Sequence, residues 1–169
     1  MSRPSWRASL KRVLTPHTGN EAGLRVAILG LGSQEWGDDA AGMLAARRLK
    51  RRLSQRENVQ VLEAGTMPEN FTGMLRKFSP QLILMIDAVR LGTGPGSIRW
   101  IEWHDLDGIS AFTHGLPLSV AAGYLRSELG CEVGLIGIEG ASFNFGEPAT
   151  LSVRRAVDRV VRALSSLLG

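Results

Sequence analysis

Arg25-Val26-Ala27-Ile28-Leu29-Gly30-Leu31-Gly32 is continuously apolar after its first residue and closes on a glycine turn. A strand with one solvated face alternates apolar and polar residues, whereas a strand covered by helices on both faces does not. The stretch therefore reads as the first buried strand of a parallel sheet. Beyond it, Asp38 and Asp39 stand at the mouth of a helix reaching about Leu53, in which Ala41, Ala45, Leu49 and Leu53 recur every four residues. The carboxylates sit at the end of the helix where negative charge is favoured.

The same pattern continues along the chain. Val59–Leu62 reads as a second short strand, and Pro68 to Phe78 as a helix with Phe71, Met74, Leu75 and Phe78 facing inward. Gln81–Val89 (QLILMIDAV) is the most clearly buried strand, and Ser97–Trp103 alternates as a more exposed strand would. Leu118, Ala121, Ala122, Leu125 and Leu129 mark another helix, and Glu132–Ile138 a further strand. Leu151, Val157, Val160, Val161, Leu164 and Leu168 mark a terminal helix. Apolar strands alternating with amphipathic helices predict a three-layer α/β sandwich, its central sheet mostly parallel, of about five strands.

The 169 residues suit a single domain, and their formal charge is +4. Residues 1–20 hold Arg3, Arg7, Lys11 and Arg12 and no acid, so residues 21–169 net to zero. A neutral body argues against nucleic acid as a partner, since such binding needs many Lys/Arg–phosphate contacts, although Arg47, Arg48, Lys50, Arg51, Arg52 and Arg56 could form a local patch. Trp6, Leu10, Val13 and Leu14 share helical spacing, so the basic arm 1–20 is either a docked helix or flexible, ahead of a single domain at 21–169. The arm is expected to be dispensable for proteolysis, and a chain beginning near Glu21 to keep nearly the same stability. It lacks the apolar core of a secretory signal, and no stretch approaches about 18 uninterrupted apolar residues. A lone Cys131 excludes an internal disulfide and fits a reducing, cytoplasmic setting; a monomer is expected.

Gly30-Leu31-Gly32 invites a dinucleotide-binding reading, but Glu35 stands where the third glycine belongs, and Asp38 and Asp39 place acid where a pyrophosphate would lie. Three other residues carry more. Asp39 follows the first strand, Asp87 interrupts an apolar strand near its end, and His114 lies in the loop Thr113-His114-Gly115-Leu116-Pro117. Loops at the carboxyl ends of parallel strands converge on one rim. There the three would offer two hard oxygen ligands and an imidazole to a divalent ion such as nickel or zinc. Plainer readings stay open: a helix-end carboxylate for Asp39, a loop cap for Asp87, an ordinary loop histidine for His114.

Several segments resemble, in order, those of the hydrogenase maturation endopeptidases, most closely the branch acting on formate-hydrogenlyase-type and archaeal nickel-iron hydrogenases. They are Gly30-Leu31-Gly32-Ser33…Asp38-Asp39…Gly42, Glu63-Ala64-Gly65-Thr66-Met67-Pro68-Glu69-Asn70, Leu84-Met85-Ile86-Asp87-Ala88, Thr113–Leu118 and Leu135-Ile136-Gly137-Ile138 with Phe145-Gly146-Glu147-Pro148. The resemblance spans about residues 24 to 168. It implies a peptidase that clips the C-terminal extension from a nickel-loaded hydrogenase large-subunit precursor. Asp39, Asp87 and His114 would serve as catalytic residues and metal ligands. Nickel would be recognised in the substrate, with a surrogate divalent ion able to occupy the isolated protein.

Three positions depart from the family pattern: Ser33, Glu63-Ala64 and Gly140. Ala64 is awkward if its loop needs a positive φ. A metal would polarise the scissile carbonyl and acidify water, and neither Gly-x-Ser-x-Gly nor His-Glu-x-x-His offers another route. Asp38 and Glu63 are further candidates for a base or a supporting role. The competing functions are a nickel-sensing chaperone that does not cut, and an RNA-associated protein.

Overall fold

Val26–Leu31 (β1) is buried at every position, as its unbroken apolar run requires. The structure is a computed structural model that describes residues 3–15, 23–111 and 115–169. Among these, β1 lies between Val59–Gly65 (β2) and Leu82–Arg90 (β3), parallel to both. Glu132–Glu139 (β6) runs parallel along the other side of β3, with Asp87 opposite Gly137. Ile98–Glu102 (β4) closes the β6 edge antiparallel, and Ser110–Ala111 (β5) pairs antiparallel with the end of β3.

The sheet thus has six strands, mostly parallel, in the order β2-β1-β3-β6-β4 with β5 off that path. Two residues of strand carry no readable alternation, which is why the sequence points to about five. The central strands β1, β3 and β6 are buried on both faces, whereas the edges β2 and β4 mix buried and partly exposed positions.

Among the described residues five α-helices cover the sheet: Trp6–Leu14 (α1), Ala41–Arg52 (α2), Thr72–Phe78 (α3), Leu118–Leu129 (α4) and Leu151–Leu168 (α5). Two apolar clusters form the core, one on each face. α1, α2 and α5 supply the first through residues such as Leu10, Leu49 and Val160; α3 and α4 supply the second through Leu75 and Leu125. The segment from Pro68 to Phe78 is a 3-10 turn followed by α3, and Met74 is half exposed rather than inward.

Within the basic arm, Trp6–Leu14 is helical. Ser5 caps α1 by accepting the Ala8 N–H, Leu10 is fully buried, and Trp6 and Leu14 are buried beside it. Arg12 reaches Glu102 at the end of β4. The helix is part of the first core cluster, which bears directly on the expected dispensability of residues 1–20.

Candidate functional site

Between β1 and α2 the chain makes a 3-10 turn, Gly37–Ala40, that carries Asp38 and Asp39. Glycines let this turn and the start of α2 press onto the sheet. A Cβ on Gly42 would lie 2.1 Å from the Ile86 carbonyl and 2.3 Å from that of Leu31; one on Gly32 would lie 2.0 Å from the Asp39 carbonyl. Any side chain there would lever α2 away from β1 and β3. The space around the Gly30-Leu31-Gly32 turn is thus filled by the protein's own backbone.

This close approach sets Asp39 beside Asp87. Both carboxylates are buried, each about 1% exposed. Asp39 Oδ2 accepts the Ser33 N–H at 2.8 Å. Asp87 Oδ1 is buried and has no hydrogen-bond partner among the described residues. Burial drives the Asp87 pKa well above its ordinary 3.8, the Asp39 charge drives it further, and the Ala88 N–H opposes both. A buried acid with an unpartnered oxygen and a like charge beside it is costly unless a cation or proton compensates. The donor set therefore suits a divalent ion.

Asp87 opens into a crevice at the C-terminal end of the parallel strands, lined also by Gly65, Thr66, Ala111, Gly115 and Leu116. His114 lies outside the described residues; Ala111 and Gly115, the nearest described residues on either side, both line this crevice. No cluster of three ligand-type side chains occurs among the described residues. A larger cavity of about 610 Å³ lies at the other end of the sheet, against Leu82, Trp100, Trp103 and Glu132. Leu82 and Glu132 face each other five residues before Asp87 and Gly137, so roughly 16 Å of strand separates that cavity from the acid pair.

Asp38 has a different occupation. Its carboxylate accepts the N–H groups of Ala141 (2.7 Å), Ser142 (3.0 Å) and Thr150 (2.6 Å), and the Thr150 hydroxyl at 2.9 Å. It staples the β1–α2 turn to the β6–α5 loop and has no lone pair left for a base. Glu63 is held by the Arg47 guanidinium, at 2.9 Å from Nη2, which also donates to Gln34. Both carboxylates are engaged in holding neighbouring segments together. Sequence reasoning missed Thr150 and Arg47 because their partners are 112 and 16 residues away.

The departures are accommodated. Ser33 contributes its backbone N–H to Asp39, a bond that does not depend on the side chain. Gly65, not Ala64, takes the left-handed conformation of its turn, with φ of 64°. A Cβ on Gly140 would lie 2.2 Å from the Phe143 ring, so the ring occupies the room a larger residue would need. Cys131, at the start of β6, is pushed up to about 11, chiefly by burial and then by Glu132. A thiol so high stays protonated and is a poor nucleophile.

Residues 43–167 match the family described as hydrogenase maturation protease (HycI). The hydrogenase 3 maturation protease of Escherichia coli K12 is 32% identical over 143 residues, which is 84% of this chain and 90% of that protein. The crystal structure of the [NiFe] hydrogenase maturation protease HycI from Thermococcus kodakarensis superposes with a TM-score of 0.82 at 30% identity, covering 95% of this chain and 98% of that one. The solution structure of the E. coli endopeptidase HycI gives 0.73 at 30% identity, over 86% and 92% of the two chains.

Proposed function

The chain belongs to the hydrogenase maturation protease family, and on that premise we propose that it clips the C-terminal extension of a nickel-loaded large-subunit precursor using Asp39, Asp87 and His114. It is a peptidase of hydrogenase maturation, and its substrate is a hydrogenase large subunit. The finer reading, that these three residues meet the nickel carried by the precursor, rests on one observation. Asp87 has a buried, unpartnered oxygen whose charge is opposed by burial and by Asp39.

A bound divalent ion supplies positive charge that polarises a carbonyl and lowers the pKa of water. The protein's part is to hold its ligands in place. The Ser33 N–H orients Asp39, and the β3 backbone fixes Asp87 at the crevice floor. Burial and the Asp39 charge favour the protonated form of Asp87, and a cation held by Asp39, Asp87 and His114 would favour the carboxylate. The site is thereby biased toward a precursor that already carries its metal. His114 completes the set with an imidazole, in a loop whose flanking residues line the same crevice. Among the described residues no helix is long and apolar enough to cross a membrane, and we place the reaction in the cytoplasm.

The test is incubation with a nickel-loaded precursor, followed by intact-mass analysis. The wild type should shorten the precursor, whereas Asp39→Asn, Asp87→Asn and His114→Ala should each lower the rate at least about a hundredfold while remaining folded, the scale of losing a group used in the transition state. Normal processing by all three variants would refute the assignment. Stable capture of an uncut precursor by the wild type would instead indicate a chaperone.

A further inference from the structure

Trp36 and Phe145 are aromatic, exposed and in contact. Their ring centroids are 5.1 Å apart at a 60° tilt, and 39% of Trp36 and 65% of Phe145 face solvent. Exposed large side chains usually sit on yielding loops, but this pair is held firmly. The two residues form an antiparallel bridge. Around it the Gly146 N–H donates to the Glu35 carbonyl (2.8 Å), the Gly37 N–H to Glu147 (3.2 Å) and the Asp38 N–H to Ser142 (2.8 Å). The Asp38 carboxylate binds the same loop from beneath through Ala141, Ser142 and Thr150. Two loops from opposite sides of β3 are thus zipped into one ledge with aromatic rings on its outer surface.

The ledge is continuous with the catalytic turn. The Trp36 carbonyl accepts the Asp39 N–H at 3.1 Å, and Trp36 directly precedes the 3-10 turn that carries Asp39. A substrate chain crossing the acid pair therefore lies within a few residues' reach of the two rings. Preorganised aromatic area costs little conformational entropy when it is covered, which makes such residues effective anchors.

We infer that Trp36 and Phe145 form a substrate-docking ledge that binds an apolar side chain of the large-subunit precursor close to the scissile bond. This rests on the peptidase reading above and adds a binding determinant to it. The rings take no part in bond cleavage, so their removal should weaken capture of the precursor more than turnover.

The experiment compares full-length wild type with Phe145→Ala, Trp36→Ala, the double variant and the conservative Phe145→Tyr, using the nickel-loaded precursor. Phe145→Ala and Trp36→Ala should each raise KM about tenfold with kcat changed less than threefold, and Phe145→Tyr should restore KM, in line with typical losses at aromatic anchors. Leu167→Ala removes a similarly exposed apolar residue far along α5 and should leave KM unchanged, which controls for nonspecific stickiness. Phe145 is mostly exposed, so its loss should leave the melting temperature unaltered; this separates docking from support. Unchanged KM in the double variant beside a normally active wild type would overturn the ledge alone. Should the wild type bind the precursor without cutting it, direct affinity decides: equal Kd for wild type and double variant sinks the inference. A wild type that neither binds nor cuts sinks both readings.

Discussion

Asp87 stands in a strand whose preceding five residues, Leu82 to Ile86, are hydrocarbon or thioether and fully or almost fully buried. Its folded pKa is raised, chiefly by burial and then by Asp39. A carboxyl raised in the native state holds its proton more tightly there than in the unfolded chain. It therefore lowers stability as pH climbs above the ordinary value of 3.8, until the folded pKa is passed. Asp87→Asn removes this cost. In metal-free protein the variant should gain on the wild type as pH rises above the ordinary carboxyl value of 3.8. Urea unfolding at several pH values would measure it, and a gap that does not widen with pH would contradict it. The same variant should fail to process precursor, so stability and function oppose each other at this residue. Asp87 was conspicuous in the sequence because a carboxylate is rare inside an apolar run. His114 gave a weaker signal, since a histidine in a loop is common; its place after a strand made it a candidate and the resemblance sharpened it.

At the scale of elements, neighbouring acids divide the labour. Asp39 accepts the Ser33 N–H and sets its charge beside Asp87, and Asp38 ties the Gly37–Ala40 turn to the loop between β6 and α5. Asp38→Ala would leave three backbone N–H groups without their acceptor and loosen the ledge. With hydrogen bonds to charged groups worth about 1.5–3 kcal/mol each and partial recovery by water, a net loss of about 3 kcal/mol is expected. Asp39→Asn should change stability far less. Thermal denaturation of the two variants side by side checks the division, and equal losses would refute it. The helices and long strands were legible because their periods of 3.6 and their unbroken apolar runs extend over enough residues to be read. The 3-10 turns and the two residues of β5 were not, being too short to show a period. Nor could the sequence assign the two aspartates, because the Asp38 partners lie 103 to 112 residues downstream and only the closed sheet brings them near.

For the whole molecule, net charge misleads because it averages over faces. α1, α2 and α5, all on one side of the sheet, hold twelve of the twenty Lys and Arg residues and only one acid, Asp158. The remainder of the chain is correspondingly acidic. The helix Trp6–Leu14 is therefore one part of a basic layer.

The packing of α1 reverses the expectation of unchanged stability. Leu10 is fully buried, and Trp6 and Leu14 nearly so, in the cluster that includes Ile98 and Val160. Full burial of one such side chain contributes about 1.5–3 kcal/mol, while ordering the arm costs about 1–2 kcal/mol per residue, largely offset by the helix's own hydrogen bonds and cap. Deletion would also uncover the faces of β4 and α5 that the helix now covers. A chain beginning at Gly23 should unfold at distinctly lower denaturant than the full protein, and Leu10→Ala alone should lose about 2–5 kcal/mol, as buried leucines do. The crevice lies at the far end of the strands, so either form should still process saturating precursor at temperatures where it stays folded. Equal unfolding midpoints for the full and shortened chains would show that α1 rests on the core without stabilising it.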